Sequence, residues 1–486
     1  MGTARVLAGF GALPADGRNP ATPESLTAQL EMLMASGGGP DIWPQSGSIR
    51  TPLGTSIRPA PTEIWFASTG YSSIGLRGYK SALETLGQLT SVESMQLSPT
   101  RWLDELRDRI ARGIAGTPDC AVIFAPGPAE VRNIARAIAT RITRRPMREI
   151  AATASEAAHF EPADDEEYET VEIALRDGRG DRRSLADIDN DMRSIAAEAL
   201  CEGAGILLHV LDTSKTGLTG PSRRMARGLG AISPGRVCVL VDATELRCPA
   251  ETIAGDLSHG HMVLVSGSHF AGGPPACAAL ILPRALADEL ASGEPILAPH
   301  GIGRFDIPSD LRTVFVTDGG LINLGLGLRW SAALAEFEAY LAVPDDVRQM
   351  VLAAFSRKAR HLAAICTGVD PEARPLDDVD NALRESIVPL ILDEPRMAVD
   401  SEAHAETLHE SLILPCGVSV GDVACHVGPP IQFGSNMALS LSAGAPMVAD
   451  VGQRMAKGLS FDIAFGPVKR DLATLFGKLD MLQALV

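Results

Sequence analysis

The stretch His261–Pro275, HMVLVSGSHFAGGPP, decides how this chain folds. Met262 to Val265 is a short apolar run rich in valine and bounded by turn residues, so it reads as a core strand ending where Ser266, Gly267 and Ser268 begin. Strands buried on both faces belong to parallel sheets covered by helices. In such open sheets ligands bind outside the carboxyl ends of the strands, which makes the following loop a candidate site. His269 is the loop's one titratable side chain. The glycines after it let backbone come close to a bound group, and the hydroxyls and N–H groups of Ser266 to Ser268 offer donors to an anion. The plainer reading of His269 is a histidine satisfied by hydrogen bonds beneath a loop.

Outward from this stretch the same pattern recurs. Val237–Val241 is an apolar strand ending in Asp242, and Ile206–Leu211 another, ending in Asp212-Thr213-Ser214-Lys215-Thr216-Gly217. Ala121–Ala125 leads through Pro126-Gly127-Pro128 into a helix ending near Thr143. Arg148–Ala152 and Thr170–Leu175 are further strands, residues 155–168 are acidic and loop-like, and Ser184 caps a helix to about Leu200. Strands alternating with helices argue a mostly parallel sheet with helices on both faces.

Upstream, Thr22-Pro23-Glu24 opens a helix continued by Leu26, Leu30 and Leu33, and residues 40–61 are rich in Pro, Gly and Ser. Helices follow over Leu76–Leu89 and from Ser98-Pro99, the second with Leu103, Leu106 and Ile110 on one face. Past Pro283 the texture changes to a helix near Leu286, a long helix over Leu324–Leu341 and another from Pro344 to about Cys366. A strand over Ile387–Leu392, a helix over Glu402–Leu412, strand-like runs around Gln432 and Met437–Ser442 and two closing helices complete the chain. At 486 residues it exceeds what one core supports. The expected division is an N-terminal helix and arm over 1–60, a large α/β domain over 61–330, and a linking helix with a small α+β domain over 331–486.

The net charge is −17 at pH 7, with no basic stripe interleaved with aromatics, which argues against nucleic acid as a partner. No uninterrupted apolar window of about 18 residues and no signal-like N-terminus occur, so a cytoplasmic protein without a membrane partner is expected. The eight cysteines include no CxxC pair and read as reduced core residues; no metal site is expected. Only six lysines occur, at 80, 215, 358, 457, 469 and 478.

Three successive strand ends thus carry polar residues at one sheet edge: DTSKTG, DATE and SGSH. This order, before Gly-Gly-Pro, resembles the fold-type I pyridoxal-phosphate (PLP) enzymes, especially the aminotransferase class V and cysteine-desulfurase branch, over residues 60–450. The resemblance implies a mostly parallel seven-strand sheet with a small C-terminal domain. It places Asp242 under the cofactor's pyridine nitrogen, where a carboxylate keeps the ring an electron sink. It places Glu245 at the phenolic oxygen, Ser214 or Lys215 at another such contact, Ser266 with Ser268 at the phosphate, and Gly127 in the first phosphate loop. Without the resemblance, Asp242 reads as a strand-end capping carboxylate and Lys215 as a solvated loop charge.

The chain also departs from that pattern. His269 stands where the family has its Schiff-base lysine, and imidazole cannot form that imine; an alternative alignment deletes the lysine altogether. Pro126 and Pro128 flank Gly127, removing N–H donors and adding no hydroxyl. Ser440, in MALSLSAGA, falls where many relatives place an arginine that clamps the substrate carboxylate.

Two readings follow. In the first, the chain is an enzyme on a small metabolite, holding PLP or pyridoxamine phosphate non-covalently with His269 as acid and base, as in a branch of sugar dehydratases that has histidine at this position. In the second, it is a PLP-free pseudoenzyme, a partner subunit of an active relative, or a cofactor-independent enzyme on the same scaffold. The resemblance implies a homodimer, its N-terminal arm reaching across.

Overall fold

The computed structural model describes residues 23–39, 42–44, 50–52, 54–68, 72–91, 98–157, 168–317, 319–372, 382–393, 400–415 and 422–485. The N-terminal start and most of the acidic stretch, 158–167, lie outside them.

The first part of the chain runs α1 (Pro23–Met34), β1 (Ile64–Phe66), α2 (Leu76–Thr90), α3 (Pro99–Gly113), β2 (Cys120–Ala125), α4 (Pro128–Thr143), β3 (Met147–Ala152) and β4 (Tyr168–Ile173). It continues through α5 (Leu185–Cys201), β5 (Gly205–Leu211), α6 (Arg223–Ile232), β6 (Val237–Ala243), α7 (Ala250–Ser258), β7 (Met262–Ser266), β8 (Ala278–Pro283) and α8 (Arg284–Ala291). The capping residues read from sequence do that work: the Ser98 side chain accepts from Arg101 N, and the Ser184 side chain accepts from Asp187 N.

Seven strands form one sheet in the order β2-β8-β7-β6-β5-β3-β4, with β8 antiparallel to both neighbours and the others parallel. Every residue of β2, β5, β7 and β8 is buried, as a sheet covered on both faces requires. Alternate residues feed two cores: Val122 and Phe124 of β2 join one, Ala121, Ile123 and Ala125 the other. Leu211 pairs with Asp242 and Asp242 with Leu264, so the three polar strand ends lie side by side.

The second part contains β9 (Ile296–Leu297), β10 (Phe315–Val316), α9 (Leu324–Leu341), α10 (Asp345–Ala363), β11 (Val369–Pro371), α11 (Ala382–Glu385), β12 (Ile387–Leu392) and α12 (Ser401–Ile413). It ends with β13 (Cys425–Phe433), β14 (Asn436–Ser442), α13 (Ala445–Ala456), α14 (Phe461–Ala464) and α15 (Gly466–Leu485). Its sheet has the order β1-β13-β14-β12-β11.

Two features differ from expectation. β1, assigned by sequence to the start of the large domain, pairs in parallel with β13 in the C-terminal sheet, so the chain crosses between the two units near residue 64. A three-residue strand is too short to show periodicity. β8 follows β7 through a loop instead of a helix, which is why strand–helix alternation does not reveal it. No helix among the described residues is long and apolar enough to cross a membrane.

Candidate functional site

The carboxyl ends of β5, β6 and β7 meet at one edge, where Asp212 N donates to Asp242 O at 2.9 Å. Asp242, buried near the end of β6, receives three hydrogen bonds. Thr244 donates its N (3.1 Å) and its hydroxyl to Oδ1, and Arg132 Nη2 donates to Oδ2 at 2.9 Å. Arg132 comes from α4, where it sits in the buried face formed by Val131, Ile134, Ala135 and Ile138. Both partners are almost fully enclosed, with side chains 3% and 4% exposed. Burial pushes the Asp242 carboxyl up, but the Arg132 guanidinium and the Thr244 donors outweigh it and hold it below its usual value. Sequence reading did not single out Arg132; the available signal was a charge on an otherwise apolar helix face.

Glu245 lies in the turn after β6, closed by Leu246 N donating to Ala243 O at 2.9 Å. It is 3% exposed, and neither carboxyl oxygen has a hydrogen-bond partner. Its nearest ionic neighbour is Arg247, whose Nε lies 3.9 Å from Oε2. Burial lifts the Glu245 pKa to about 8, with Arg247 and Lys215 opposing and Asp242 adding. Arg247 is itself fully enclosed: it donates to Ser386 Oγ and Ser68 Oγ, each at 2.6 Å, and its guanidinium lies 4.6 Å from the Phe270 ring centroid. Burial lowers it to about 10.

Lys215 is not a solvated loop charge. It is half-buried, its Nζ donates to Ala154 O at 3.2 Å and its N donates to Glu156 O at 3.0 Å. Burial pulls its pKa below the ordinary value against the charges of Glu156 and Glu245, with Arg132 adding to the fall. Ser214 holds its own loop together: its hydroxyl accepts from Thr216 N (3.2 Å) and Leu218 N (2.9 Å).

The loop after β7 is likewise bonded to itself. Ser266 Oγ, fully buried, pairs with Ser268 Oγ at 2.8 Å, accepts from Ser268 N at 3.1 Å and donates to Cys277 O at 3.3 Å. Gly267 N donates to Cys277 O at 2.7 Å and Gly273 N to Gly267 O at 2.8 Å. His269 is buried within this loop, and its carbonyl accepts from Gly272 N at 2.9 Å. The glycines serve close approach to protein. A Cβ at Gly273 would stand 2.5 Å from Ala333 Cβ of α9, and one at Gly272, where φ is +79°, would strike Pro446 of α13. Gly127 caps α4 with Pro128 at its first position, and a Cβ there would lie 2.9 Å from Glu130 Oε2. Ser440 is fully buried in the middle of β14, opposite Pro389 and Gly428.

No protein-family model matches the chain, and no curated protein matches it in sequence. Solved structures do. A cysteine desulfurase from Thermococcus onnurineus NA1 matches at 16% identity and a TM-score of 0.50, covering 82% of this chain and 95% of that one. A NifS-like protein matches at 13% identity and a TM-score of 0.51, covering 87% and 100%. The chain has the fold-type I architecture. At these identities the likeness concerns the fold alone.

Three features of these residues bear on the cofactor that the sequence resemblance implies. Both Asp242 oxygens already carry donors, Thr244 on one and Arg132 on the other. The start of α4 presents two prolines and the Glu130 carboxylate instead of hydroxyl donors to a phosphate. The Ser266 hydroxyl is committed inside its loop with none of its surface exposed. What the edge does offer is a half-buried amine, an unpartnered carboxyl and two enclosed guanidinium groups.

Proposed function

We propose that this chain works without PLP or pyridoxamine phosphate, as a cofactor-independent enzyme on the fold-type I scaffold, with the charged cluster at the ends of β5 and β6 as its small-molecule site. The observation that carries this reading is the Arg132–Asp242 pair. A pyridine ring seated on Asp242 would have to share the two carboxylate oxygens with Arg132 and Thr244, at a cost to the hydrogen bonds already made there. The proline-flanked start of α4 offers a phosphate little with which to offset that cost.

The unpartnered Glu245 favours a ligand-binding site over an inert scaffold. A buried carboxyl without donors is expensive to maintain, and a ligand that supplies or accepts a proton there relieves it. On this reading His269 shapes the loop and does not act on a cofactor.

Thermal unfolding with and without pyridoxamine phosphate tests the reading. A ligand that binds the native state raises Tm by mass action. No rise is expected at millimolar concentration; a saturable rise would overturn the proposal.

A further inference from the structure

We propose that α1 is a detachable clasp on the loop between β7 and β8, pinned by Arg329 of α9, and that its opening governs access to Cys277 and the buried ends of that loop.

Three observations carry it. First, one guanidinium holds both parts. Arg329, fully buried, donates Nε to Ala276 O at 2.8 Å, Nη1 to Met34 O at 3.1 Å and Ser36 O at 2.7 Å, and Nη2 to Gly37 O at 3.3 Å. It thereby satisfies carbonyls at the C-terminal end of α1, where a helix has no acceptors of its own to fill, and grips the end of the loop with the same planar fork. Asn323, before α9, adds a bond from Nδ2 to Gly37 O at 3.0 Å. The close approach depends on Gly325, where a Cβ would stand 2.2 Å from Leu33 O.

Second, the loop end relies on that grip. Ala276 has φ +60°, a left-handed conformation that is strained for a residue with a Cβ and persists only where its surroundings fix it. Those surroundings are the pin and the clasp: a Cβ at Gly38 would lie 2.4 Å from Ala276 Cβ, and Met34 lines one small cavity with Pro274 and Pro275. The next residue, Cys277, accepts from Gly267 N at 2.7 Å. Its thiol is sealed by the loop, since a Cβ at Gly267 would stand 2.7 Å from Sγ, and the residue is 1% exposed.

Third, α1 has little else to hold it. It is 12 residues long, a length marginal for an isolated helix, and among its described side chains only Leu30 and Met34 are buried. Such a segment opens at a lower free energy than core strands do. When it leaves, Arg329 retains Ala276 O alone of the four carbonyls it reaches and turns toward water for the rest. Ala276 then loses its pin, and the bond from Gly267 to Cys277 loosens with it. The middle of the loop stays in place, because Ser72 N donates to Ser268 O at 3.2 Å and Ala445 N to Phe270 O at 2.7 Å. This opening does not depend on whether a cofactor binds.

Hydrogen exchange and thiol labelling of the full chain test the coupling. In the wild-type protein the amides of Gly267 and Gly273 are expected to share the protection of the second half of α1, about tenfold or more below that of β5 and β6, while Ala445 N keeps the protection of the core. Arg329→Met is expected to lower protection in α1 and at both glycines together. It is also expected to speed N-ethylmaleimide labelling of Cys277 about tenfold or more, with Cys238 in β6 and Cys425 in β13, both buried, unchanged. Wild-type Gly267 and Gly273 protected like β5 and β6 while α1 opens would overturn the proposal, and so would α1 protected like those strands. Labelling of Cys277 no faster than that of Cys238, in a variant whose β5 and β6 remain protected, would overturn it too. If Arg329→Met does not fold, the wild-type comparison decides alone.

Discussion

Arg132 and Asp242 form a buried charge pair, and its energetics follow from desolvation. Arg132→Ala leaves the buried Asp242 without this counter-charge and is expected to cost roughly 3–5 kcal/mol, read from denaturant midpoints. Changing both residues to leucine should recover most of that loss, because a packed apolar pair avoids the desolvation of both ions. A double variant as unstable as the sum of the single ones would contradict a paired role. Glu245 gives a pH signature. Its folded pKa of about 8 exceeds the ordinary 4.5, so the folded state keeps a proton that the unfolded chain releases. Its contribution to stability is therefore intact below the lower value, falls as pH rises between the two and is flat above the upper one. Glu245→Gln is expected to gain on the parent by a few kcal/mol between about pH 5 and pH 8. A gap independent of pH would contradict the burial argument. Asp242 and Lys215 were legible as candidates because they stand at or just beyond strand ends in a recognisable order. Arg132 was not, since one charge on an apolar helix face gives no hint of which strand end it meets.

At the scale of elements, the loop after β7 shows how a motif and its use separate. Its Ser-Gly-Ser and Gly-Gly pattern reads in sequence as a cradle for a ligand, yet the serines bond within the loop and Gly273 fits against Ala333 of α9. Periodicity locates β7 and α9 but cannot show that they will touch. Gly273→Ala forces a Cβ into that contact and is expected to cost about 1–3 kcal/mol by overpacking, measured by thermal unfolding. An unchanged Tm would mean that the loop is not held against α9. The β5–β6–β7 succession was legible for the opposite reason. Largely apolar runs separated by helices leave little choice of arrangement, whereas β1, with three residues, and β8, reached without a helix, carry no comparable signal.

The whole molecule is tied across its two sheets by buried ions. Arg176 donates to Glu156 at 2.6 Å and to Glu372, beside β11, at 2.8 Å, while Arg182 grips both Glu372 oxygens at 2.7 Å. Arg384 of α11 reaches Asp212 at the end of β5 at 3.1 Å. Burial pushes Glu372 up, but its two arginines outweigh that and hold it below 4.5, so its stabilisation is present above that value and fades as pH falls through the lower one. Glu372→Gln is expected to destabilise the protein near neutrality and to flatten its acid unfolding in that range. A dimer, proposed from the family resemblance, predicts sedimentation at twice the 51.1 kDa chain mass; a single species at the chain mass at micromolar concentration would count against it. The central claim is that Asp242, engaged by Arg132 and Thr244, holds no cofactor ring. Calorimetric titration of pyridoxamine phosphate into the wild-type protein and into Asp242→Asn tests it most directly. The account predicts no saturable heat from either protein; stoichiometric binding to the wild type that is lost in Asp242→Asn would contradict it.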